Sequence, residues 1–227
     1  MMESLRRVDA ASADNPLRVD IVSDVVCPWC VIGYKQLERA LMLSDLVAEV
    51  RWHPFELNPA MGAQGENLRE HIAAKYGTMP EESQESRARL THLGAALGFT
   101  FDYSDDMRMV NTFRAHQLLH WAEREGHGHA LKMALFAAYF TERCNLDDLD
   151  VLVAVAADVG LDRREAMAVL AEGRYAEAVR ERERFWAARG ITGVPAIVFN
   201  QRYLATGAQG VDNYFHILNR LAEEQAA

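Results

Sequence analysis

Three cysteines among 227 residues are too few for a disulfide framework. No segment approaches the roughly 18 consecutive apolar residues of a membrane helix. No run of five or more basic residues occurs, and the formal charge is -9. A surface of that sign has no general attraction for nucleic acid or for an anionic membrane. Neither is therefore expected as a partner. Repeats and low-complexity tracts are also absent. The N-terminus, MMESLRRVDAASADNPLRVD, carries arginines but lacks the apolar stretch of a secretory signal. Met1 agrees with a chain that has lost no leader, and the expected location is cytoplasmic.

Half the residues are hydrophobic, enough for a buried core without disulfide support. The length suits one large domain, or one domain with a sizeable insertion. LRVDIVSD (17–24) reads as a strand, with Leu17, Val19 and Ile21 alternating with Arg18, Asp20 and Val22. A helix starts at Pro28, whose missing N–H and fixed φ suit a first helical turn. EVRWHPF (49–55) reads as a second strand ended by Pro54. The middle of the chain reads as helices at 67–76, 80–97, 109–125, 128–142, 147–159, 162–170 and 174–189, with glycines or Asn145 at the breaks. AIVFNQRYLAT (196–206) reads as a hairpin around Asn200 and Gln201, and an amphipathic helix follows. The order β, α, β, helical block, β, β, α implies one sheet interrupted by an insertion.

Two of the cysteines stand in DVVCPWCVIGY, between the first strand and the first helix. A structural staple is improbable in a reducing cytosol. Zinc would need a second ligand pair, and haem attachment would need His where Val31 stands. The redox reading survives. The first turn of a helix has unpaired N–H groups and the positive end of the dipole, so it favours an anion. Only a thiolate attacks a disulfide. Cys27 is thus expected to be an exposed nucleophile and Cys30 a deeper resolving thiol. Trp29 would form an apolar lip beside them.

C-P-W-C after a strand, a helical insertion, and G-V-P before a late hairpin together resemble the thioredoxin superfamily. SDVVCPWCVIGY, PFELNP, NTFRAHQLLHWA and GVPAIVFN resemble its DsbA-like branch, and within it the FrnE-like dithiol–disulfide oxidoreductases, from about residue 17 to 222. The resemblance implies an α/β thioredoxin-like fold with a large all-helical insertion between the βαβ and ββα halves. Residues 17–65 and 177–224 would form the thioredoxin-like domain, 66–176 the insertion, and 1–16 a flexible terminus. It also implies a cis bond before Pro195, with Val194 offering its backbone to an extended substrate. The related glutathione-transferase and chromene-carboxylate isomerase branch carries serine at the motif, against which Cys27 and Cys30 argue. FrnE-like proteins with a second, C-terminal cysteine pair have no counterpart here.

Other residues have plainer readings beside functional ones. Asp24 either caps the turn or shuttles a proton for the thiols, and its nearness to them favours the second. Asp20 reads as solvent-facing. Asn111 and His116 are candidate polar contacts lining the pocket. His116 and His120 lie four apart on one helix face without a third ligand, so no metal is expected. His127 and His129 read as exposed loop residues, and Cys144 as a small buried hydrophobe.

The expected activity is that of a cytosolic protein-disulfide oxidoreductase or isomerase. Stabilising a thiolate makes the disulfide more oxidising, so in the cytosol the pair rests reduced and works as reductase or isomerase. No resident cofactor is expected, though a small thiol such as glutathione could serve as co-substrate. Expected partners are disulfide-containing proteins or small-thiol adducts, and the protein would be a monomer or homodimer. Two other readings stay open: a glutathione-type transferase or isomerase of aromatic small molecules, and a chaperone-like binder.

Overall fold

The computed structural model describes residues 16–44 and 46–226. Apart from Pro16, the expected flexible terminus lies outside the described residues. Strand β1 (Leu17–Ser23) runs through a short turn into helix α1 (Pro28–Ser44), and β2 (Ala48–Pro54) returns parallel to β1. Much later, β5 (Ala196–Phe199) and β6 (Tyr203–Thr206) form a hairpin, and α9 (Val211–Ala226) packs against α1. The sheet order is β2-β1-β5-β6, with β5 antiparallel to both neighbours. Asn200 and Gln201 both have positive φ, at 47° and 59°, as a tight primed hairpin turn requires.

Between the two halves lie β3 (Glu66–Asn67), α2 (Leu68–Tyr76), α3 (Pro80–Ala96), β4 (Arg108–Met109), α4 (Phe113–Arg124), α5 (Gly128–Phe140), α6 (Leu149–Asp158), α7 (Arg163–Ala171) and α8 (Ala176–Ala187). This is the thioredoxin-like arrangement that the resemblance implies, a βαβ half and a ββα half with a helical insertion between them. The side chains of Asn67, Asp148 and Asp162 accept first-turn N–H groups and fix the starts of α2, α6 and α7. The helix expected over 109–125 starts only at Phe113. Arg108 and Met109 instead pair with Glu66 and Asn67, in a two-stranded ladder too short to show as periodicity.

β1 is a central strand covered on both faces. Leu17, Val19 and Ile21 enter the main core, which also holds Ile197, Phe199 and residues of α1 and α9. On the opposite face Val22, Ala196 and Val198 form a second cluster with Trp186 of α8. Phe185, beside it, stays exposed. Asp20 shares the side of Val22, so it is buried rather than solvent-facing. It accepts from Arg18 at 2.8 and 2.9 Å and from His53 Nε2 at 2.7 Å.

Candidate active site

The turn after β1 sets the cysteine pair. Cys27 N–H donates to Asp24 O at 3.3 Å, and Cys30 N–H donates to Cys27 O at 3.1 Å as α1 begins. Both thiols are free. Cys30 is 0% exposed and Cys27 only 4%, so the expected exposed nucleophile is in fact buried. Access comes from elsewhere. Cys27, but not Cys30, lines a cavity of about 310 Å³, walled mainly by α2 and α3 of the insertion. The insertion hides the sulfur from bulk water yet leaves a space in front of it. Trp29 is 39% exposed at the rim, with the Arg89 guanidinium 5.9 Å from its ring centre.

The loop before β5 lies against the pair. The Val194–Pro195 bond is cis, the isomer the resemblance implies. Cys27 Sγ lies 3.9 Å from the Val194 carbonyl oxygen. Gly33 lets α1 approach this loop: a Cβ there would stand 3.1 Å from Pro195 Cγ. Val194 and Pro28 line the same cavity as Cys27.

Behind the pair is a buried charge cluster. Asp24 Oδ2 accepts from Leu57 N–H at 2.7 Å, and its Oδ1 lies 3.3 Å from His116 Nε2. The other neighbour of that nitrogen is the Phe55 carbonyl oxygen at 3.1 Å. Both neighbours are acceptors, so Nε2 carries the proton. Burial alone would push the Asp24 carboxyl up, but the hydrogen bonds from His116 and Leu57 and the nearby Lys132 charge hold it below the usual range. Burial pushes the Cys30 thiol well up, as do a hydrogen bond with Cys27 and charge on it, so Cys30 keeps its proton.

Lys132, on α5, completes the cluster and was not anticipated. It is 1% exposed, and burial lowers its pKa to about 8 against the pull of Cys30 and Asp24. Among the described residues it has no ion-pair partner within 4.0 Å. Its ammonium lies 4.9 Å from the Phe136 ring centre and 5.3 Å from that of Trp52, a partial substitute for water. The available signal was a lone lysine in the apolar run ALKMALFAAYF, a charge that a buried helix does not carry idly.

Two candidate pocket residues lie elsewhere. Asn111 does not line the thiol cavity: its amide donates to Met61 O at 3.2 Å and its oxygen accepts from Phe113 N–H at 2.9 Å, holding the start of α4. His116 faces the back of the pair instead, where it and Lys132 line a second cavity of about 320 Å³. His120 lies on that cavity too, its ring against Tyr175. Among the described residues no three His, Cys, Asp or Glu side chains are placed to share a metal ion. His129 is exposed as expected but stands in α5, not in a loop: it accepts from Trp52 Nε1 at 3.2 Å and meets Tyr34 Oη at 3.2 Å. His127 donates from Nδ1 to Val159 O at 2.8 Å. Cys144 is only partly buried, beside Glu142.

A buried dithiol at a helix start, beside a cis-proline loop, has counterparts in known proteins. The model of the DSBA-like thioredoxin domain matches residues 18–219. The chain belongs to this family. At that level it is a thiol–disulfide oxidoreductase, an enzyme acting on disulfide substrates. A probable DsbA oxidoreductase from Streptomyces coelicolor is 34% identical, with a TM-score of 0.86 over 92% of this chain and 91% of that one. The uncharacterized protein YwbO of Bacillus subtilis is 26% identical over 86% of this chain and 92% of its own length. The cytosolic disulfide reductase DsbM of Pseudomonas aeruginosa, solved with GSH, has a TM-score of 0.64 at 18% identity, covering 91% of this chain and 100% of that one. That likeness is one of fold. Among the described residues no helix is long and apolar enough to cross a membrane.

Proposed function

We propose that this protein is a cytosolic, FrnE-like thiol–disulfide reductase or isomerase in which Cys27 attacks and Cys30 resolves. One observation carries the division of labour: Cys27 reaches a cavity and Cys30 does not. The Cys27 thiolate attacks one sulfur of a substrate disulfide, forming a mixed disulfide and releasing the other sulfur as a thiolate. That step removes the charge beside Cys30 and with it one reason the Cys30 thiol holds its proton. The Lys132 cation then favours the Cys30 thiolate. Asp24, held as an acceptor by His116 Nε2–H, takes the proton. Cys30 attacks the Cys27 sulfur, the substrate leaves as a second thiolate, and the pair is left oxidised.

The electrons stay on sulfur throughout, so no resident cofactor enters. A small thiol such as glutathione would return the pair to the dithiol as a co-substrate. The Val194 carbonyl beside Cys27 suits an extended disulfide-bearing segment laid along the loop, with Trp29 as an apolar contact at the rim. Insulin reduction tests this reading. Cys27→Ser is expected to abolish turnover, and Cys30→Ala to stop it after one mixed disulfide. Full activity of Cys30→Ala on an aromatic glutathione acceptor would point to a transferase instead. Holdase activity independent of both cysteines would point to a binding protein.

A further inference from the structure

Three tyrosines line the cavity in front of Cys27, and two of them, Tyr103 and Tyr139, differ in one respect. Tyr139 donates its hydroxyl hydrogen to the Arg108 carbonyl at 2.8 Å. The Tyr103 hydroxyl is buried and meets no hydrogen-bond partner among the described residues. A buried O–H without an acceptor costs about 1–3 kcal/mol and calls for a reason. The ring cannot easily turn away. It stacks on Phe101 at 5.8 Å with 4° between the planes and meets Phe140 edge-on at 6.4 Å.

The electrostatics fit a donor awaiting an anion. Burial and the nearby charge of Cys27 raise the phenol's pKa, so it keeps its proton. The Arg87 guanidinium is close enough to affect it, lines the same cavity, and has no carboxylate partner among the described residues. Among the described residues Tyr103 makes no hydrogen bond to Cys27 itself, and both line the same cavity. Displacement at sulfur is in line, so the leaving sulfur sits about two S–S bonds, roughly 4 Å, beyond the attacking one.

We propose that Tyr103, with Arg87 beside it, forms a subsite for the outgoing thiolate of an alkyl disulfide, the tyrosine hydroxyl donating to that sulfur as Cys27 displaces it. The proposal rests on the nucleophilic role given to Cys27 above. In the step, Cys27 S⁻ bonds one substrate sulfur, the S–S bond breaks, and its electron pair stays on the leaving sulfur. The Tyr103 hydrogen bond stabilises that charge, and solvent later supplies the proton. Leaving thiols of high pKa need this help and those of low pKa do not.

The test compares wild type and Tyr103→Phe, both reduced, against bis(2-hydroxyethyl) disulfide and against bis(3-carboxy-4-nitrophenyl) disulfide. Loss of one charge-assisted hydrogen bond should slow attack on the alkyl disulfide about tenfold. Attack on the aryl disulfide should stay within about twofold, since its thiolate leaves unaided. Removing an unpaired hydroxyl should leave Tm unchanged or raise it. Equal slowing on both probes, slowing on neither, or a marked fall in Tm would overturn the subsite while leaving Cys27 as the nucleophile. A wild-type protein inert to both probes would overturn the thiol reading itself and the subsite with it.

Discussion

Asp20 and Asp24 stand four residues apart on one chain segment. Both are fully buried, and each meets a histidine. Their other partners separate them. Asp20 receives both Arg18 donors in addition to His53 Nε2, and Trp186 packs its ring 4.8 Å from that of His53. This is a closed ion-pair cluster with its charges matched at contact. Asp24 has one backbone N–H and one imidazole, and its cation, Lys132, makes no contact ion pair with it. A buried pair matched at contact holds structure. A buried lysine left a short distance from a carboxylate and two thiols costs stability, and its location gives the cost a purpose.

The largest separation between the two sites should appear in the second chemical step. Asp24→Asn is expected to slow release of the reduced substrate from the mixed disulfide about 100-fold, the scale of lost general-base help. The first attack, followed by stopped flow, should change far less. Lys132→Met should slow the same release about tenfold. Asp20→Asn should do neither: turnover stays within about twofold, while chemical denaturation shows a loss of about 2 kcal/mol from the broken cluster. If Asp20→Asn slowed release as much as Asp24→Asn, the contrast between the two carboxylates would collapse.

The pH dependence sharpens the contrast with smaller effects. Both carboxyls are held below their usual range, Asp20 by His53 and Arg18 against the opposing effect of burial. Their stabilisation is complete above the unfolded value of about 3.9 and is lost as pH falls below it. Asp20→Asn should therefore flatten the acid limb of the stability curve. Lys132 works in the opposite range. Its pKa is about 8 in the folded protein, against about 10.4 when unfolded. Between those values the unfolded chain still binds the proton, so stability attributable to Lys132 rises with pH. Lys132→Met should lose that rise.

Much of this arrangement could be read before any coordinates. Pro28 and the glycine breaks marked helix limits, Asn200–Gln201 marked the hairpin, and C-P-W-C followed by G-V-P marked the two sides of the site. These signals are local, carried by residues whose backbone preferences do not depend on distant neighbours. What escaped was non-local. Asp20 looked solvent-facing because alternation in a strand cannot say that α8 covers the second face. Asn111 looked like a pocket residue because a hydrogen bond to Met61, fifty residues earlier, leaves no mark in sequence. Cys27 looked exposed because its cover comes from helices over forty residues away. Tyr103, in the loop FDYSDD, carried no signal at all.

Intact-mass analysis of the reduced Cys30→Ser protein after exposure to bis(2-hydroxyethyl) disulfide tests most directly which sulfur attacks. The account predicts one hydroxyethylthio adduct, located on Cys27 by peptide mapping, that persists because nothing resolves it. A Cys27→Ser protein treated alike should remain unmodified at Cys30. Rapid modification of Cys30 in that variant, with Cys27 inert in the other, would contradict it.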